Sequence, residues 1–163
     1  MKTQLQRHII TILLDNEVGT LARVAGLFAA RGYNIDSLSV AATADPSQSR
    51  LTLTTHGDTR ILDQVVSQLR KLVDVLEVHD LTGQAHLESE LLIINVRCPQ
   101  GRSDAVEACL YRHRAFPVAV NGDVSSIQFA GTGKAVRAFL DDIEAVAEVL
   151  VLARSGTAAL HLH

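Results

Sequence analysis

The feature that most constrains this chain is the order in which two apolar spacings, a strand spacing and a helix spacing, succeed one another along it. Residues 8–14 (HIITILL) are apolar at almost every position and rich in β-branched side chains, which predicts a strand covered on both faces. The run stops at Asp15 and Asn16, both turn and helix-capping residue types. Beyond Gly19, the positions Leu21, Val24, Ala25 and Phe28 keep the i, i+3, i+4, i+7 spacing of a helix with one stripe toward a core. Gly32 suits the turn that ends it. A strand over 35–42, a turn at Asp45-Pro46 and an alternating strand over 50–55 come next. Leu62, Val65, Val66 and Leu69 give a second helical stripe, and residues 73–78 a closing strand. The order is β-α-β-β-α-β.

The second half repeats it. Residues 90–96 (ELLIINV) read as a strand, and Ser103 is placed to cap a helix carrying Val106, Cys109 and Leu110. Strands over 116–120 and 124–129 flank a turn at Asn121-Gly122. Val136, Phe139, Leu140 and Ile143 mark the last helix, and residues 147–152 the last strand. The polar stretch around Gly83 separates the halves. The expected organisation is therefore an α+β chain of two tandem ferredoxin-like βαββαβ domains, over 1–80 and 87–163, with a linker over 81–86.

That topology hosts many functions, so side chains must decide. The chain is 47% hydrophobic and 20% charged, with a net charge of -3 and signs mixed along its length. This is a folded, weakly acidic protein without the basic patch that phosphate backbones require. Strand 50–55 also lacks the stacking aromatics of an RNA-recognition sheet, and no nucleic-acid partner is expected. Cys98 and Cys109 are too few for a zinc or iron–sulfur site and read as free thiols in a reducing compartment. Among the seven histidines no pair has the i, i+4 spacing of helical metal ligands, and His161 and His163 sit in a tail. Asp141, Asp142 and Glu144 read as a solvated helix face. No run approaches the roughly 20 apolar residues of a membrane span, and the N-terminal MKTQLQRH does not lead into a signal peptide. A cytoplasmic protein without a membrane partner is expected, and no catalytic or metal set can be assembled.

The densest signal is the segment from Leu13 to Leu38. A strand runs through Asp15-Asn16-Glu17-Val18-Gly19 straight into a helix, whose free N–H groups and positive dipole end suit a carboxylate. Gly19 has no side chain to screen those amides. Asn16 can donate and accept, which suits the carboxylate and ammonium of an α-amino acid, and Asn34 could bring a second amide to the same crevice. The residues equally allow a purely structural reading: Asn16 as a helix cap, Gly19 as a tight-packing position, Asn34 as a turn residue after Gly32.

At this segment the sequence resembles the regulatory small subunits of acetolactate synthase, also called acetohydroxyacid synthase, whose N-terminal part is an ACT domain. The resemblance rests on Asn16-Glu17-Val18-Gly19, Leu21, Arg23-Val24, Gly26-Leu27-Phe28, Arg31-Gly32-Tyr33-Asn34-Ile35 and Ser37-Leu38. It continues through Asp45-Pro46, Ser49-Arg50-Leu51-Thr52 and Lys71-Leu72-Val73-Asp74-Val75, then Phe129-Ala130-Gly131-Thr132 and Ala153-Arg154-Ser155-Gly156. Nearly the whole chain is covered.

The resemblance implies a valine site on Asn16, Val18, Gly19, Asn34 and Ile35, completed between the ACT domains of a homodimer. It further implies a non-catalytic subunit of branched-chain amino acid biosynthesis that activates a separate catalytic subunit and makes it sensitive to valine. Thiamine diphosphate, Mg²⁺ and FAD would belong to that catalytic subunit, which joins two pyruvates into acetolactate with loss of CO₂, and none to this chain. Departures from the family pattern at Ser89, Val120 and the tail after Gly156 fall in the linker and second half. A free-standing tandem-ACT amino-acid sensor without an enzyme partner is the alternative, and the family-like ending Ala153-Arg154-Ser155-Gly156 argues against it.

Overall fold

In the computed structural model of the chain, residues 6–162 are described; residues 1–5 and His163 lie outside the described residues. Thirteen elements follow one another among them: β1 (Gln6–Asp15), α1 (Thr20–Ala29), β2 (Ile35–Ala42), β3 (Gln48–Gly57), α2 (Thr59–Leu69), β4 (Val75–Asp80), β5 (His86–Arg97), α3 (Ser103–His113), β6 (Phe116–Asn121), β7 (Val124–Gly131), α4 (Gly133–Glu144), β8 (Glu148–Arg154) and β9 (Ala158–His161). They form two compact units. Unit 1 runs to Leu87 and takes in the chain again from Thr157 onward, whereas unit 2 is Glu88–Gly156.

In unit 1 the antiparallel sheet has the order β2-β3-β1-β4, with α1 and α2 on one face. Alternation decides which side chains meet those helices. Ile10, Ile12 and Leu14 of β1 and Leu51 and Leu53 of β3 pack on Val24 and Phe28 of α1 and Leu62, Val65 and Leu69 of α2, nearly all without solvent exposure. Helix α2 begins where the Asp58 carboxylate accepts from the Arg60 amide (2.8 Å). Gly57 lies directly under the Tyr33 ring, whose hydroxyl donates to the Asp58 carbonyl. Burial pushes the Tyr33 hydroxyl pKa up from the usual phenol value.

The opposite face of this sheet carries many hydroxyls beside Ile9 and Leu13, and Thr11, Thr52 and Thr54 on it are all buried. The cover is β9, a strand the sequence pattern did not suggest. The Ala159 amide donates to Thr52 Oγ1 (3.2 Å), the Thr157 amide to Ser37 Oγ (3.4 Å), and Ala159 joins Ile9 and Leu81 in a small apolar cluster. Residues 157–162, expected with the second domain, thus pack in unit 1, because side-chain hydroxyls there satisfy their backbone N–H groups.

Unit 2 has the same architecture, in the order β6-β7-β5-β8, with β9 pairing to β5, whose first two residues belong to unit 1. Leu92, Ile94, Val96 and Ile127 of its sheet meet Val106, Cys109, Val136, Phe139 and Ile143 of α3 and α4. The likeness extends to irregularities: each edge strand, β2 and β6, shifts register against its neighbour, and each first strand, β1 and β5, shifts against the opposite edge strand, β4 or β8. The buried Glu90 carboxylate takes a two-point grip from the half-exposed Arg154, which holds that guanidinium above its usual pKa and ties β5 to β8. Boundaries shift modestly from the sequence reading: the strands expected over 73–78 and 147–152 are Val75–Asp80 and Glu148–Arg154. Ser103 is the first residue of α3 rather than its cap, which is Arg102.

Candidate functional site

The loop between β1 and α1 is built by three local effects. The Asn16 amide donates to the Ser47 carbonyl (2.8 Å), and its side-chain Nδ2 to the Pro46 carbonyl (3.0 Å), fastening the loop to the turn between β2 and β3. That turn is held in its own right by Asp45, whose carboxylate accepts from the Ser47 amide and hydroxyl; the hydroxyl and then the amide draw the Asp45 pKa below the usual carboxylate value. Asn16 is therefore not the helix cap. Gly19 occupies that position at φ +89°, a left-handed conformation that suits glycine.

No side chain caps α1, and its first turn contains no acidic residue. The Thr20 amide donates to the Glu17 carbonyl (3.4 Å), and the positive end of the helix dipole has no side-chain acceptor beside Gly19. Val18, next to it, stands wholly in solvent. Arg23 lies one turn in: its Nη1 would be 3.4 Å from a Cβ at Gly19, and its Nη2 pairs with the Asp74 carboxylate and approaches Thr20 Oγ1 (3.4 Å). The sequence reading gave neither Arg23 nor Asp74 a role here, although an arginine four residues after the capping glycine was a usable signal.

The corresponding loop of unit 2 is different in kind. Helix α3 carries Asp104 in its first turn, so its own carboxylate already occupies the favourable end of the dipole. Two helix starts of the same topology are therefore electrostatically unlike, and only that of α1 is left for an outside anion.

Asn34 and Ile35 lie elsewhere. Strand β2 pairs antiparallel with β3, and β3 with β1, so β2 runs parallel to β1. Ile35 is level with Thr55 and, through it, with His8 at the start of β1, whereas Asn16 follows the end of β1. Seven residues of strand, about 24 Å, separate those levels. A single copy thus groups Asn16, Val18 and Gly19 and keeps Asn34 and Ile35 at the far end of the same sheet. At that end the Asn34 carbonyl accepts from Thr55 Oγ1 (2.6 Å), and its Nδ2 leans on Asp36 (3.5 Å). The Asp36 carboxylate also meets His56 Nδ1 (2.5 Å).

Among the described residues, no group of three histidine, cysteine, aspartate or glutamate side chains could hold a metal ion, and no helix is long and apolar enough to cross a membrane. Cys98 and Cys109 are free, and burial pushes the Cys109 thiol pKa up, away from the reactive thiolate.

Residues 10–77 match the family described as the AHAS small subunit-like ACT domain, and residues 89–163 the family described as the small subunit of acetolactate synthase. The small subunit of acetolactate synthase isozyme 3 from Escherichia coli strain K12 is 43% identical over 154 residues, 94% of each chain. The chain belongs to the acetolactate synthase small-subunit family. A member from Aquifex aeolicus is 39% identical over 98% of this chain and 83% of its own. The crystal structure of the acetolactate synthase small subunit from Thermotoga maritima matches with a TM-score of 0.84 and 28% identity, over 98% of this chain and 99% of that one. As a member of this small-subunit family, the chain is a non-catalytic subunit of the complex, and its two units are the tandem ferredoxin-like, ACT-type domains of that family.

Proposed function

We propose that this chain is the regulatory subunit of an acetolactate synthase of branched-chain amino acid biosynthesis, and that it activates the catalytic subunit and imposes feedback inhibition by valine. The observation that carries the reading is the start of α1, opened by Gly19 at φ +89° and free of both a side-chain cap and an acidic residue. It offers the valine carboxylate a helix start without an acidic residue in its own first turn, beside an Asp74 carboxylate already paired with Arg23. Val18 supplies apolar surface, and a buried branched side chain contributes about 1.5–3 kcal/mol.

The rest of the site comes from a second copy. Strand β2 is the edge of its sheet, and residues 37–42 (SLSVAA) carry no charge to ward off pairing. Antiparallel pairing of β2 with β2 about a two-fold axis sets the beginning of one strand beside the end of the other. The Asn34 and Ile35 of one copy then reach the Asn16–Gly19 loop of the other, closing the gap that a single copy leaves. Valine that binds the low-activity arrangement of the complex more tightly shifts the population, through a coupling of about 1–3 kcal/mol. Thiamine diphosphate, Mg²⁺ and FAD belong to the catalytic subunit in this reading, and the assembly works in the cytoplasm.

Calorimetry of the chain with valine, leucine and isoleucine, followed by valine titration of the complex reconstituted with its catalytic subunit, tests the proposal. Gly19→Asp places a carboxylate among the amides, and Asn34→Leu removes the donor from the second copy. Each should raise the valine needed for half-inhibition at least about tenfold, the equivalent of 1.4 kcal/mol, while activation persists. Unaltered titration curves would move the site elsewhere, and acetolactate formed by the chain alone would end the regulatory reading.

A further inference from the structure

Strand β2 does not run evenly past β3. Ile35 pairs with Thr55, but Ser37 pairs with Thr54, so Asp36 is an extra residue bulged out of the ladder. Without the bulge, the period-2 alternation would put Ser37 on the helix-covered face with Ile35. With it, Ser37 turns to the hydroxyl-lined face, where its Oγ meets Thr54 Oγ1 (2.7 Å) and accepts from the Thr157 amide (3.4 Å). Thr157 is buried and is the first residue of unit 1 after the chain has passed through unit 2. One serine thus links the strand that carries Asn34 and Ile35 to the point where the chain comes back.

We propose that Ser37 is a positioning residue for regulation, through which effector binding at the start of β2 is transmitted to the returning segment at Thr157. The inference rests on the valine reading above. A ligand held by Asn34 and Ile35 pulls on a strand whose spare residue, Asp36, immediately precedes Ser37. A bulge absorbs such a displacement by changing the direction of the next side chain, with little cost to the rest of the ladder. The hydrogen bond from Thr157 follows Ser37 Oγ. Residues 157–159, anchored also at Thr52, then shift as one piece.

The test compares the parent small subunit with Ser37→Ala and with Ser37→Thr, which restores a hydroxyl. Three quantities are read: amide exchange at Thr157, valine affinity of the small subunit, and valine inhibition of the reconstituted complex. Ser37→Ala should speed exchange at Thr157 and shrink the maximal inhibition factor, each by roughly two- to tenfold, the equivalent of one hydrogen bond. Valine affinity and activation should persist, and Ser37→Thr should restore inhibition. If Ser37→Ala does not fold, Thr54→Val removes the hydroxyl that orients Ser37 and should act in the same direction. Inhibition that stays at the parent level, exchange that does not change, or failure of Ser37→Thr to rescue would each overturn the proposal. Parent chain that binds no valine would overturn the effector reading itself, and this inference with it.

Discussion

At the scale of single residues, the tightest constraint in unit 1 is the absence of a side chain at Gly57. A Cβ there would lie 2.0 Å from Tyr33 Cε1, so Gly57→Ala must displace the ring and its hydrogen bond to Asp58. Overpacking of this kind costs about 1–3 kcal/mol. We expect Tm to fall by at least about 4 °C for the transition of unit 1, read by scanning calorimetry. An unchanged Tm would mean the ring has room to step aside. Residue identities near Gly19 were legible in the sequence because a glycine before a helix has few uses. The partner of Asn16 was not: its side chain holds Pro46, 30 positions away, and no local pattern encodes that contact. Asn34 was read as a neighbour of Asn16 because both flank α1, but the parallel course of β1 and β2 puts them at opposite ends of the sheet.

At the scale of elements, one acidic residue of α4 does more than face water, while Asp141 and Glu144 are exposed as expected. Asp142 accepts from His113 Nε2 (2.8 Å) and Arg112 Nη1 (2.9 Å), clamping α4 to the last turn of α3. The hydrogen bond from His113, with the guanidinium of Arg112 behind it, holds the Asp142 carboxyl below its usual pKa. A carboxylate lowered in the folded state stabilises above its unfolded pKa of about 3.9, and the benefit disappears as pH falls through the lowered value. Asp142→Asn should therefore be less stable than the parent near neutral pH, and the gap should close below about pH 4. Urea unfolding across that range would show it, and curves that stay parallel would rule out the clamp. The four helices were readable from their stripes, since Val24, Phe28, Leu62 and Phe139 are fully buried, and Val106, Cys109 and Leu110 of α3 are buried, where the spacing put them. Strand β9 was not, because AALH is short and pairs with elements far away in sequence.

At the scale of the whole molecule, the doubled element order emerged from the sequence because each unit closes its own core with its own periodicities. Pairing through β2 predicts a dimer, and light scattering on the purified chain should give about twice the mass of one copy; a monomer that still binds valine would contradict the shared pocket. What the periodicity could not express is that unit 2 is an insertion within unit 1. The contact from Ala159 to Thr52 spans 107 positions, a loop that must be closed before unit 1 is complete. On the ribosome the order of events follows from this. All of unit 2 has been synthesised before β9 emerges, so the inserted domain can mature while the domain that began first still waits for its last strand. During that interval the hydroxyl-lined face carrying Thr11, Thr52 and Thr54 is open. Unit 1 can finish only after unit 2 has been synthesised, since Thr157 and the residues after it follow unit 2 in the chain.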